Sequence, residues 1–167
     1  MTSKQAMFKE RLTFEDLLLE ILRNLWRTLS SYKVLIYYDR VQQIEYLDPS
    51  LSYKHTVLLR KFRTIFAILK GINEISEEAE ALEKEMLNEI ADNQKRIDEL
   101  FHKINDAEIY GGMNYNEYRK TTYELANLLR VVHFTYTEYL TKIISLLDKH
   151  GLLLKQKVIL KGEEQYL

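Results

Sequence analysis

From Ile75 to His150 apolar residues return every three or four positions, and the pattern breaks once, around Gly111-Gly112. That spacing places apolar side chains on one stripe of a helix. The first arm, 75–108, carries Ile75, Ala79, Leu82, Met86, Leu87, Ile90, Ile97, Phe101 and Ile104. The second, 114–150, carries Tyr118, Thr122, Leu125, Leu129, Val132, Tyr136, Tyr139, Ile143 and Leu146. At ~1.5 Å per residue each arm is about 50 Å long. Two arms of nearly equal length across a short glycine-containing turn predict a long antiparallel αα-hairpin. Met86, Ala91 and Leu100 widen the buried face beyond a two-stranded seam, which predicts a bundle with more than one neighbour.

The remaining composition agrees with few, long elements. Five glycines and one proline in 167 residues leave little material for turns. A chain of this length fits one domain with a sizeable core, so 1–167 is read as a single helical domain. The absence of cysteine excludes disulfides, zinc–thiolate sites and iron–sulfur clusters. No apolar run reaches the length of a membrane span, and the first residues lack a signal-peptide core. A cytoplasmic protein without membrane association is the expectation. The net charge of −1 hides a division. Residues 1–73 hold twelve basic and seven acidic side chains, 74–108 hold four and twelve, and 109–167 hold eight and six. The first arm is thus acidic between basic neighbours.

Upstream of the arms, Thr13 with Asp16 forms a capping-box pattern, and Leu12 and Leu17 occupy the staple positions. A helix is expected over about 13–47, with a bend near residue 31. The apolar run Val34–Tyr38 fits either a helix turn or a short strand, and the spacing of Val41, Ile44 and Leu47 favours helix. Asp48-Pro49 ends that element and opens the next, 49–71, with Gly71 as terminator. Asn114 with Glu117 can cap the second arm. Within the acidic arm, Asp92–Arg96 and Glu99–Lys103 are i,i+4 pairs. Beyond Gly151, residues 152–167 alternate as a short C-terminal strand or hairpin would.

Few residues suggest chemistry. Glu99-Leu-Phe-His102 has a metal-like helical spacing, but no second copy accompanies it and its heptad positions face solvent. Nucleophile elbows, phosphate-binding glycine loops and His-Glu-x-x-His are missing from the sequence. The expectation is a protein that is not an enzyme and has no catalytic residue, metal or cofactor. Surfaces for partners are better represented. Tyr110 and Tyr115 sit at the turn between the arms, and tyrosine is enriched at interfaces. Val131, Phe134 and Ile144 lie off the main stripe of the second arm and must meet a second neighbour, in this chain or another. Arg60, Arg63 and Lys70 share one helix face and are candidate phosphate contacts, with pairing to the acidic arm as the alternative.

From Thr121 onward the sequence resembles the end of a winged helix-turn-helix domain. Glu124-Leu-Ala126 resembles the helix before the turn, Tyr136–Lys149 the recognition helix, and His150-Gly-Leu-Leu the approach to a wing tipped by Gly162-Glu-Glu. The resemblance covers under a third of the chain. It implies duplex DNA as partner, with Lys142, Lys149, Lys155, Lys157 and Lys161 on phosphates. Arg130-Val131 stands where the turn glycine would be, and the unbroken heptad from Tyr118 to Leu146 is the pattern of one helix. The readings, in order, are therefore three. The first is a non-enzymatic helical interaction or assembly protein that forms homo-oligomers or meets a protein partner. The second is a winged-helix DNA binder with a helical dimerisation region. The third is a helical subunit of a nucleic-acid complex.

Overall fold

A computed structural model describes the backbone of residues 3–152 and the side chains of residues 16–152. The fold is mostly helical: α1 (Ser3–Ser31), a two-stranded antiparallel sheet of β1 (Ile36–Asp39) and β2 (Ile44–Leu47), then α2 (Leu51–Lys70), α3 (Ser76–Tyr110) and α4 (Tyr115–Lys149). Among the described residues no helix is long and apolar enough to cross a membrane. The expected C-terminal strand over 152–167 falls almost wholly outside the described residues.

Contacts between α3 and α4 descend along one helix as they rise along the other. Tyr118 meets Glu108, Glu124 meets Arg96, Tyr139 meets Glu89, Lys142 meets Glu85 and Lys149 meets Glu78. The two helices therefore lie antiparallel along their length. Asn114 caps α4 through its side chain, which accepts the Glu117 N–H at 2.9 Å. Such a bond satisfies one of the amides a helix start leaves open. Gly111 and Gly112 both take positive φ, 74° and 91°, which only glycine adopts freely in so tight a link.

The segment 34–47, expected as helix, forms the sheet instead. Ile36 pairs with Leu47, and Asp39 with Ile44. Two local features decide it. Asp39 Oδ1 accepts the amides of Val41 and Gln42, and Gln43 takes φ 56°, so the chain reverses over four polar or exposed residues. The strands themselves are rich in isoleucine and tyrosine, and Tyr37 packs across on Tyr46. Val41, which lent the segment its helical spacing, is the turn residue and is 93% exposed. The sheet also gives the Val34 run its mate within this chain.

Three smaller expectations shift, and one, Gly71 as terminator of α2, holds. Thr13 lies inside α1 and is no cap, because the helix starts at Ser3. α2 begins at Leu51, while Asp48 Oδ1 accepts the amide and hydroxyl of Ser50 and so holds the turn ahead of it. Gly71 is the C-cap, in a right-handed conformation that any residue can adopt. Arg96 ignores Asp92: it reaches across to Glu124 (2.8 Å) and to Glu99 (3.3 Å), since the facing helix offers the nearer carboxylate.

One apolar core draws on every helix, from Leu22 and Leu25 through Phe62 and Phe66 to Met86, Ile97, Leu129 and Tyr136. A polar thread runs into it. His55, 4% exposed, donates from Nε2 to Gln94 Oε1 at 2.6 Å, and Gln94 Nε2 donates to Asp98 at 3.0 Å. Gln94 thus breaks the apolar seam of α3 because it meets a histidine from α2. Burial holds the His55 pKa below its ordinary 6.5 and outweighs the Gln94 hydrogen bond and the Asp98 charge.

Two tests follow from this packing. Leu129 is fully buried, so Leu129→Asp should cost several kcal/mol, comparable to the total stability of a domain, and abolish the cooperative melt. The His55 shift has a pH consequence. A pKa lowered by folding means the unfolded chain binds the extra proton. The stability tied to neutral His55 is therefore complete above its ordinary 6.5 and declines as pH falls from there through the lowered folded value. The melting temperature should drop between pH 7.5 and pH 5.5 (about one unit either side of 6.5), and His55→Gln should flatten that drop.

Candidate interaction surfaces

α4 is packed on by several neighbours. Thirteen of its residues are buried against six on the equally long α3, because α4 touches α1, α3 and β2. What it leaves outside is therefore conspicuous: Phe134 is 74% exposed and Val131 is 52% exposed. Beside them runs the link from α1 to β1. Tyr32 stacks on His133 at 5.2 Å, His133 Nε2 donates to the Leu29 carbonyl at 2.8 Å, and Arg130 donates to the Val34 carbonyl at 3.2 Å. Leu35, next in the chain, is 44% exposed. The link is thus pinned to one flank of α4 while Val131 and Phe134 stay uncovered. Ile144, expected with them, is half-buried and packs on the core instead. Its neighbour is this chain.

The turn between α3 and α4 exposes a second apolar group. Ile109, Tyr110 and Tyr115 all project to solvent there. Sequence reasoning found the two tyrosines and missed Ile109, whose position one residue before Tyr110 was the available signal.

The candidate cations divide three ways. Lys70 is taken by Glu83 at 2.7 Å, the pairing with the acidic arm that the sequence left open. Lys142 lies 3.2 Å from Glu85 and 3.5 Å from Glu138, and sits 4.6 Å above the centre of the Tyr139 ring. Its hydrogen bond to Glu85 raises the lysine pKa and lowers that of the glutamate. Lys149 and His150 both reach Glu78, at 3.4 and 2.9 Å, and the His150 bond is the main cause of its lowered pKa. Arg60 and Arg63 are exposed, and neither side chain has an ion pair among the described residues. Lys155, Lys157 and Lys161 lie outside the described residues. α4 is helical without interruption through Arg130–Thr137, where a helix-turn-helix would turn.

Glu99 and His102 point into separate surface pairs, Glu99 with Arg96 and His102 with Asp106 at 3.3 Å. Among the described residues no three histidine, aspartate or glutamate side chains gather as metal ligands.

A feature invisible in the sequence is a cleft of about 590 Å³ between the sheet, the start of α2 and the turn end of α3 and α4. Leu47, Ile104 and Leu125 line its apolar part, with Tyr46, Phe101, Met113, Tyr115 and Tyr118 beside them. Its ionisable carboxylates are Asp39, Asp48 and Glu108, and among the described residues its lining contains no lysine, arginine or histidine. Residues more than sixty positions apart meet here, and the cleft depends on β1 and β2 being strands. That is why no spacing argument could find it.

Comparison with known protein families, with curated proteins and with solved structures finds no match to the chain.

The cap at the turn end is open to a direct check. Asn114→Ala removes the acceptor of the Glu117 amide and should lower stability by about 1 kcal/mol, read as a reduced midpoint in urea.

Proposed function

We propose that the chain is a non-enzymatic helical interaction and assembly protein that associates with a second copy of itself through the outer face of α4. The observation that carries this reading is the exposure of Phe134 and Val131 one helical turn apart. A large aromatic ring kept in water beside another apolar side chain marks a surface that a partner covers. Leu35 extends the same region along the pinned link. In this reading α3 and α4 form the long hairpin that organises the bundle, and the turn end with Ile109, Tyr110 and Tyr115 is a second contact.

A DNA-binding reading of winged-helix type is the alternative. The continuity of α4 and the carboxylate partners of Lys142 and Lys149 weigh toward assembly. Arg60 and Arg63 give a nucleic-acid complex its remaining support, because both stay exposed.

Sedimentation equilibrium tests the choice. The protein should form a dimer or larger species at tens of micromolar (about the range in which a modest interface associates). Val131→Glu with Phe134→Glu should return it to monomer while its melting temperature stays nearly unchanged, as expected for exposed positions. A strict monomer before substitution would overturn the reading. Duplex binding separates the alternative: its affinity would fall steeply with salt, and neutralising Lys155, Lys157 and Lys161 would flatten that slope by about three units.

A further inference from the structure

The cleft beside the sheet combines features that a lone acidic patch lacks. Its lining joins apolar side chains, aromatic rings and, among the described residues, charge of a single sign. Asp39, Asp48 and Glu108 contribute carboxylates, and Tyr46, Tyr115 and Tyr118 contribute rings. Two of the carboxylates keep an oxygen to spare. Asp39 uses Oδ1 for the turn amides, and Glu108 uses Oε1 for the Tyr118 hydroxyl at 3.3 Å. Their second oxygens have no partner among the described residues. Asp48 is partly answered by Lys54, which stands 3.7 Å away outside the lining.

We propose that this cleft is a binding site for an organic cation, a guanidinium or ammonium group carried on a short carbon stem. Each half of such a ligand has its counterpart. The cationic head meets the free carboxylate oxygens through charge-assisted hydrogen bonds. The faces of tyrosine rings attract the same charge. The stem takes the apolar side chains of the lining, as the stems of lysine and arginine do elsewhere. The volume falls in the range of ordinary small-ligand sites. An anion is rejected by the same carboxylates, and a purely apolar ligand would bury their free oxygens unpaired. The site does not depend on self-association through α4.

Two sources present this chemistry, an arginine side chain within a peptide and a free amine. The test uses the full chain, with amide and aromatic NMR shifts read during titration to about 10 mM, where a millimolar Kd still registers. The probes are N-acetyl-arginine methylamide, its neutral citrulline counterpart, and agmatine. Saturable shifts at Tyr46, Tyr115 and Tyr118 with the arginine amide, and none with citrulline, are expected and point to a peptide source. Shifts with agmatine alone support the same site with a free amine as ligand. Equal shifts with citrulline, or none with either cation, would overturn the proposal.

Asp39→Asn with Glu108→Gln keeps the oxygens that hold the turn and the Tyr118 hydroxyl, and removes both charges. Binding should weaken about tenfold or more, in line with the strength of hydrogen bonds to charged groups. Glu108→Gln alone, at an exposed helix position, should weaken it less and serves if the double variant folds poorly. Glu77→Gln with Glu80→Gln, on exposed positions of α3 outside the cleft, should leave binding unchanged. An equal loss in that control would mean diffuse attraction to an acidic surface, and the site would be discarded.

Discussion

The burial of α4 is the constraint on which the rest of the fold depends. It meets α1, α3 and β2, so its thirteen buried residues must satisfy several neighbours at once. Tyr136 shows how. Its ring stacks on Phe62 of α2 at 4.9 Å and lies near His55, so one α4 side chain reaches a helix beyond its immediate partner. Tyr139 answers the opposite need. Its buried ring sends the hydroxyl to Glu89 of α3 at 2.5 Å, and burial together with that carboxylate pushes its pKa up, so the phenol stays a donor. A helix held on so many sides has little freedom to bend or slide. Most of its stability then comes from packing and little from helix propensity.

Long-period features were legible in the sequence, and features made by short segments were not. The two arms, the Asn114 cap and the glycine turn could be read because a heptad repeated over 35 residues leaves few alternatives. The sheet could not. Val41, Ile44 and Leu47 carry helical spacing by accident, and only the Asp39 turn geometry and the Gln43 backbone separate a strand pair from a helix there. The start of α1 failed for a related reason: Thr13 has the chemistry of a cap, but capping chemistry does not prevent a helix from running through it.

The candidate surfaces divide along the same line. The phase argument that set Val131, Phe134 and Ile144 off the main stripe did not separate them: the first two are exposed, whereas Ile144 packs on the core. A helical phase fixes direction and says nothing of which neighbour stands there. The cleft was out of reach altogether, since it joins a short sheet to the far ends of two helices.

Charge shows what the fold does with a pattern that, in sequence, suggests outside partners. Four carboxylates of the acidic arm are answered from its neighbours: Glu78, Glu83, Glu85 and Glu89 each meet a group from α2, α4 or the residue just after α4. Exposed pairs of this kind add little stability, a few tenths of a kcal/mol each. Their larger effect is on register, because a slip of α4 along α3 would set like charges and apolar side chains against the wrong partners. The cations nominated for phosphates on α4 are occupied by this arrangement. Among the described residues, Arg60 and Arg63 on α2 and the second oxygens of Asp39 and Glu108 at the cleft stand outside these pairs. Unanswered charge steers partners, and answered charge does not. The cleft oxygens and the exposed ring of Phe134 are therefore the groups on which the two proposals rest.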